Sequence, residues 1–215
     1  MTTSIPWRVR TLALCAVAAA AFVALSVTAR PANAALGVAC PDPVSQVFQP
    51  WGDYAQYAFV PNGGFESGTY GWAVAGSPKV VAGNESFFVH SRYDRYALSI
   101  PAGSSVTSPP MCIGLLNSKM RFFVSNTGDP NARLKVQVLY NGGVGSLLSL
   151  ATKLLGISDA GYVTAGSAWQ PSEQVGMLSG ALPLLTSSVQ FRFTAVDGGG
   201  NFRIDDVYLD PLLNR

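Results

Sequence analysis

Two adjacent carboxylates, Asp205 and Asp206, interrupt the last apolar run of the chain, Phe202-Arg203-Ile204-Asp205-Asp206-Val207-Tyr208-Leu209. Phe202 and Ile204 share one parity of a strand, whereas Val207 and Leu209 share the other, so the pleat must slip between them. A β-bulge at that point turns both acids toward a loop. Carboxylates presented in this way, joined by Glu66 and the backbone carbonyls of the Gly-rich turn Asn62-Gly63-Gly64-Phe65, form the all-oxygen set that a hard cation such as Ca²⁺ takes. The competing reading of the pair is two hydrated acids on a surface strand.

Other chemistry is thinly supplied. The chain has one histidine, His90, which excludes a His-rich metal centre. A Ser-His-Asp triad would have to recruit that residue, and no G-x-S-x-G elbow is present to supply the nucleophile. The glutamates are Glu66, Glu85 and Glu173, so a carboxylate pair of the glycoside-hydrolase kind has few candidates. Gly198-Gly199-Gly200 precedes a strand and opens no helix, which makes it a turn and not a phosphate cradle. Asn84-Glu85-Ser86 fits a glycosylation sequon, a triplet that also occurs by chance. The expectation is a chain that is not an enzyme and has no catalytic residues.

The first residues read as an address. Arg8 and Arg10 precede an apolar run from Leu12 to Val27, and Ala32-Asn33-Ala34 supplies small residues at cleavage spacing, so residues 1–34 are expected to be a secretory signal peptide. Without a cleavage the same run approaches the ~20 residues that cross a bilayer. With it, no membrane span remains. Removing Arg8, Arg10 and Arg30 from 14 basic residues leaves 11 against 12 acids, so the basic balance of the whole chain says nothing about an anionic partner. No basic run of the nucleic-acid-binding kind is present. Charged residues make up 12% of the chain, about half of the usual ~25%, and the aliphatic and aromatic content suffices for one core. Cys15 leaves with the signal, so Cys40 and Cys112 remain as an even pair in an oxidising compartment and are expected to form a disulfide. Its loop of about 70 residues corresponds to roughly 4 kcal/mol in the chain-entropy description.

The elements that must position these groups are short strands. Residues 35–57 are Pro- and aromatic-rich without a period, an extended segment strapped onto the domain by Cys40. Residues 58–211 form the domain, with strands expected at Trp72–Ala75, Lys79–Ala82, Tyr96–Ile100, Ser105–Ser108, Lys119–Ser125, Leu134–Tyr140, Val189–Val196 and Phe202–Leu209. Eight short strands with loop punctuation specify an all-β antiparallel sandwich or jelly roll. In Leu134-Lys135-Val136-Gln137-Val138 and Val189-Gln190-Phe191-Arg192-Phe193, apolar and polar residues alternate, so one face is core and the other is wet. Leu147 to Ile157 has helical spacing and is the one place for a short helix.

The segments Asn62-Gly63-Gly64-Phe65-Glu66-Ser67-Gly68-Thr69-Tyr70-Gly71-Trp72 and Ile204-Asp205-Asp206-Val207-Tyr208-Leu209 resemble the opening and closing motifs of the family four and nine type of carbohydrate-binding module, within the galactose-binding-like jelly rolls. Pro101 to Cys112 and Thr164 to Pro171 are similar to segments of secreted actinobacterial proteins. The resemblance spans roughly residues 60–210. It implies that Glu66 and Asp205 or Asp206 hold a structural calcium between the first and last strands, and that Trp72 is core. It also implies a secreted, monomeric, non-catalytic module that binds a polysaccharide or cell-envelope glycan. Rings stack on sugar C–H faces while polar groups read hydroxyls, so the ligand-binding candidates are the outward Lys135, Gln137 and Arg192, with Trp169 as a platform. Trp169 is equally suited to the core. The alternative function is a structural or protein-interaction module of the cell surface, in contact through Trp51, Tyr54 and Tyr57 or through the Leu147–Ile157 segment.

Overall fold

The computed structural model describes residues 43–111, 119–142, 157–176 and 186–210. The signal segment, Cys40, Cys112 and residues 143–156 of the candidate helix lie outside the described residues. Among those described, no helix is long and apolar enough to cross a membrane.

Within the described residues, thirteen strands make two antiparallel sheets: β1 Val44–Ser45, β2 Tyr57–Phe59, β3 Ala73–Ala75, β4 Lys79–Ala82, β5 Tyr96–Pro101, β6 Ser105–Thr107, β7 Lys119–Asn126, β8 Arg133–Gly142, β9 Ile157–Val163, β10 Gln170–Pro171, β11 Val175–Gly176, β12 Thr186–Val196 and β13 Asn201–Asp210. One sheet is built on β13 and the other runs β3-β6-β12-β8-β9. The chain is thus the all-β antiparallel sandwich that its alternation specifies, and all eight expected strands are present. Ile157, read in the sequence as the end of a helical stretch, instead opens β9, which pairs with β8.

The core forms where the apolar parities of the two sheets meet. Leu134, Val136 and Val138 of β8, Phe191 and Phe193 of β12, and Phe122 and Val124 of β7 all have no exposed surface. They join Leu98, Ile100, Phe202 and Ile204 in one cluster with Phe65 and Trp72. Trp72 is core, with its indole N–H donating to Pro61 O at 3.2 Å.

Residues 43–57 do more than strap. They supply β1, a 3-10 turn at Gln49–Trp51 and the start of β2, and they cover the outer face of the β13 sheet. Phe48 there is fully buried among Tyr57, Phe123 and Tyr208, stacked on Phe123 at 5.6 Å between ring centroids and edge-on to the other two. This second cluster includes the half-buried Trp51 and Trp169 at its margin. The segment is thereby part of the sandwich's outer layer, its place fixed by aromatic burial within the described residues.

Candidate functional site

Along one edge, β13 pairs with β7 over most of its length, from Phe202 to Asp210. Along the other it pairs first with β5, which ends opposite Ile204, and then with β2, which begins opposite Tyr208. Asp205, Asp206 and Val207 fall in the gap. There the register with β7 shifts between Asp205 and Tyr208, and Asp206 takes φ 46°. The slip inferred from residue parity is therefore a bulge, and it lets Ile204 and Val207 both face the core. The loop after β2 closes the gap: Val60 N–H donates to Val207 O at 2.9 Å, and Val207 N–H donates to Gly63 O at 3.2 Å. A Cβ on Gly63 would stand 2.9 Å from the carbonyl oxygens of both Val207 and Val60, so no other residue allows this approach.

Both aspartates of the bulge are fully buried, as is Glu85 from the loop between β4 and β5. Asp205 is spent on the backbone: its oxygens accept from Glu85 N–H and Asp206 N–H, each at 2.9 Å. Glu85 folds its own loop by accepting from Val89 N–H at 2.6 Å and from Phe87 N–H. Asp206 Oδ2 accepts from His90 N–H at 2.9 Å, whereas Asp206 Oδ1 is buried without a hydrogen-bond partner. His90 Nδ1 lies 2.7 Å from Asp94 Oδ2, with its ring stacked on Phe59 at 3.9 Å.

A cation fits this pocket by its donor chemistry. One ligand atom each from His90, Asp94 and Asp206 lies within 4.8 Å of the others. Gly64, lacking a side chain, keeps the space open: a Cβ there would be 3.0 Å from Asp206 Oδ1 and 3.7 Å from Asp94 Oδ2. Desolvation raises the pKa of Asp205 to about 9, helped by the adjacent Asp206 charge. Desolvation also raises Asp206 to about 7, with the His90 amide opposing it and Glu85 and Asp94 adding repulsion. Glu85 is raised too, again chiefly by burial. Acids this unwilling to ionise, one with an oxygen left bare, are relieved by a positive ion.

Of the three metal-ligand candidates read in the sequence, only Asp206 enters this group. Glu66 is exposed at its rim, where Oε1 accepts from Arg95 N–H at 2.7 Å and Tyr96 N–H at 2.8 Å and so docks the turn onto the start of β5. His90 and Asp94 were not legible as partners of Asp206, because they lie more than a hundred residues away in the chain. The one local signal was their own i,i+4 spacing beside a buried glutamate. Asn84 of the sequon is half-buried, its Nδ2 donating to Glu85 O at 3.0 Å and its Oδ1 buried without a partner.

The other group of candidates lies on the outer face of the five-stranded sheet. Registers place Thr107, Arg192, Gln137 and Asp159 in one row across β6, β12, β8 and β9, and Ser105, Thr194, Lys135 and Tyr162 in the next. Gln137 Nε2 donates to Asp159 Oδ1 at 2.9 Å, Lys135 Nζ pairs with Asp159 Oδ2 at 2.9 Å, and Arg192 Nε donates to Thr107 Oγ1 at 3.3 Å. Tyr162 is exposed and carries the Arg133 guanidinium 4.2 Å from its ring centroid. Trp169 stands apart from this face, packed at the margin of the Phe48 cluster over the other sheet. Of the aromatic leader, Tyr57 is fully buried, Trp51 is half-buried and Tyr54 is exposed.

No known protein family matches the sequence, and no curated protein does. Similar solved structures include the TmCBM61 module in complex with β-1,4-galactotriose (19% identity, TM-score 0.46, covering 70% of this chain and 96% of that one). Others are the CBM22-1 xylan-binding domain from Paenibacillus barcinonensis Xyn10C (14% identity, TM-score 0.45, 68% and 89%) and a family 16 carbohydrate-binding module (13% identity, TM-score 0.47, 71% and 99%).

Proposed function

We propose that this protein is a secreted, non-catalytic module that binds a polysaccharide or cell-envelope glycan on the outer face of its five-stranded sheet. The carrying observation is the pair of polar rows across β6, β12, β8 and β9. They present a guanidinium, an amide, an ammonium, a carboxylate and hydroxyls in fixed register beside the exposed ring of Tyr162. A glycan is read by such alternating donors and acceptors, and the rigid strands below them reduce the ordering cost of binding. Asp159 holds Lys135 and Gln137 in place while leaving their remaining N–H groups for a ligand.

Calcium belongs to this proposal as a structural ion. Asp206 and Asp94 would supply carboxylate oxygens, and the ion would fasten the β13 bulge to the loops at Gly64 and His90. Its part is to neutralise the buried acids. Zn²⁺ is the comparison ion, because an imidazole nitrogen suits it better than it suits Ca²⁺.

The test is depletion of the secreted protein from solution by insoluble xylan, galactan, cellulose, chitin and isolated bacterial envelopes. Retention on one polysaccharide, competed by its soluble oligomers and reduced at least tenfold in an Arg192→Ala/Gln137→Ala variant of unchanged melting temperature, is expected. Retention unaffected by that variant would remove the face from the binding surface, and retention on none of them would end the glycan reading.

A further inference from the structure

A second polar groove lies over the other sheet, between the 3-10 turn of the N-terminal segment and the β10–β11 connection. It has a volume of about 430 Å³ and is lined by Trp51, Asp53, Tyr54, Arg121, Glu173 and Gln174, with Gly52 and Pro171 at its edges. That volume falls within the range of about 300–1,000 Å³ typical of small-ligand clefts.

Its floor is a saturated hydrogen-bond network. Asp53 Oδ2 accepts from Tyr57 Oη at 2.7 Å, from Arg121 Nη1 at 2.9 Å and from Gln174 Nε2 at 2.9 Å, while Oδ1 accepts from Ala55 N–H at 3.1 Å. Arg121 also donates from Nε to Ser172 O at 2.9 Å, and its guanidinium lies 4.4 Å from the Phe48 ring centroid. These contacts tie β7, the N-terminal segment and the β10–β11 connection into one rigid base. The wall is equally fixed: Trp51 packs against Phe87 at 5.0 Å, Phe123 at 5.4 Å and Phe48 at 6.2 Å between centroids. Gly52 takes φ 77° in open space, where a Cβ would meet nothing within 4 Å, and the next residue, Asp53, is buried. Tyr54, 64% exposed, stands at the rim, held through its backbone carbonyl by Gln46 Nε2 at 2.8 Å.

From this arrangement we infer that the groove is a second saccharide subsite, taking a neutral glycosyl unit between the Trp51 and Tyr54 rings. The inference rests on the glycan reading above, and it makes the module bivalent across opposite sheets. Trp51 and Tyr54 supply the aromatic lining for sugar C–H groups, Glu173 offers an acceptor to its hydroxyls, and Gln174 offers its second amide N–H, since its Oε1 accepts from Lys119 Nζ at 2.8 Å. Arg121 is paired with Asp53, and the Glu173 carboxylate is matched by the Lys119 ammonium bonded to Gln174, so the groove carries no surplus positive charge to draw an anionic sugar. The floor is already hydrogen-bonded before any ligand arrives, so little ordering accompanies binding.

The test uses ¹⁵N-labelled protein from the full chain, titrated with xylohexaose, cellohexaose, laminarihexaose and β-1,4-galactotriose, with oligogalacturonate as the anionic control. In at least one neutral titration, the Trp51 indole N–H and the Gln174 side-chain amide resonances are expected to shift saturably. A Tyr54→Ala/Glu173→Ala variant should weaken that response at least tenfold while leaving shifts at the Gln137 side-chain amide unchanged. Both residues are exposed, and their backbone carbonyls, which accept from Gln46 Nε2 and Ser172 Oγ, are unaltered by the substitutions, so the variant retains its fold. Shifts confined to Gln137 would overturn the groove and leave the sheet-face reading standing. Shifts confined to Trp51 and Gln174 would do the reverse, a response to oligogalacturonate alone would overturn the neutral-sugar assignment, and no shifts in any titration would remove both sites.

Discussion

The buried acids predict an unusual dependence of stability on pH. Asp205 and Asp206 have folded pKa values of about 9 and about 7, against an ordinary 3.8. A carboxyl whose pKa is raised by folding keeps a proton that the unfolded chain gives up. Its stabilising contribution is complete below pH about 4 and is lost as pH rises toward 7 and beyond. Because the two are neighbours repelling each other, they titrate as a unit, and the native pair holds at least one proton more than the unfolded chain between pH 5 and 7. One proton gives a slope of about −1.4 kcal/mol per pH unit, hence about 3 kcal/mol lost over that interval. For a domain of this size that corresponds to a fall in melting temperature of about 6–12 °C. The measurement is a set of thermal melts from pH 5 to 7.5 in chelator, repeated in excess Ca²⁺. With an ion in place of the protons the slope should flatten, and at a hundredfold excess over Kd the protein should gain about 2.7 kcal/mol at pH 7.5. An Asp206→Asn variant should lose the response to calcium yet keep a downward slope without metal, because Asp205 is raised chiefly by its own burial. A melting temperature that is constant or rises with pH in chelator would refute the account of buried, ion-seeking acids. A normal slope untouched by Ca²⁺ but flattened by Zn²⁺ would reassign the ion to a nitrogen-bearing site centred on His90.

Two further outcomes follow from the outer layer. Arg121→Met leaves Asp53 buried without its guanidinium and should destabilise the protein by about 3–5 kcal/mol in urea unfolding at pH 7. Burial works to raise the Asp53 pKa, but hydrogen bonds from Gln174, Tyr57, Ala55 and Arg121 outweigh it and hold the carboxylate at about 2. That stabilisation is present above pH 3.8 and lost as pH falls toward 2, so the variant should also show a shallower acid limb; an unchanged limb would deny the network its role. Phe48→Ala removes the centre of the second aromatic cluster and should cost about 3–5 kcal/mol by differential scanning calorimetry. A loss below about 1 kcal/mol would mean that the segment merely lies on the sheet.

Legibility in the sequence followed the range of the interaction. Strands β8 and β12 could be read because each carries its own alternation, with Val136 and Phe193 buried and Lys135 and Arg192 outward, and that pattern needs no knowledge of the partner strand. The bulge could be read for the same reason, since the parity change between Ile204 and Val207 is internal to one strand. Strand β9 was hidden because its apolar start abuts a leucine-rich stretch and its middle is broken by Gly161 at φ 136°, opposite a register shift in β8. Short strands such as β1, β10 and β11 carry too few residues to show a period.

The pocket beside the bulge illustrates the harder case, where the topology and not the local sequence selects the partners. Asp206 sits where β5 has ended and β2 has not begun, so its neighbours come from whatever loops fill that gap. One is the Asn62–Glu66 turn, directly joined to β2. The turn contributes the empty space above Gly64, while Glu66 reaches across to Arg95 and Tyr96. The other is the loop that Glu85 folds around its own amides, which carries His90 and Asp94 to the aspartate. A glutamate two residues before Phe87-Phe88 in a polar loop was the visible trace of that burial, because a carboxyl buried beside Asp205 and Asp206 must be held by backbone N–H groups if it is to stay inside. Residue type thus announces that a charge is buried, whereas strand order decides what it meets there.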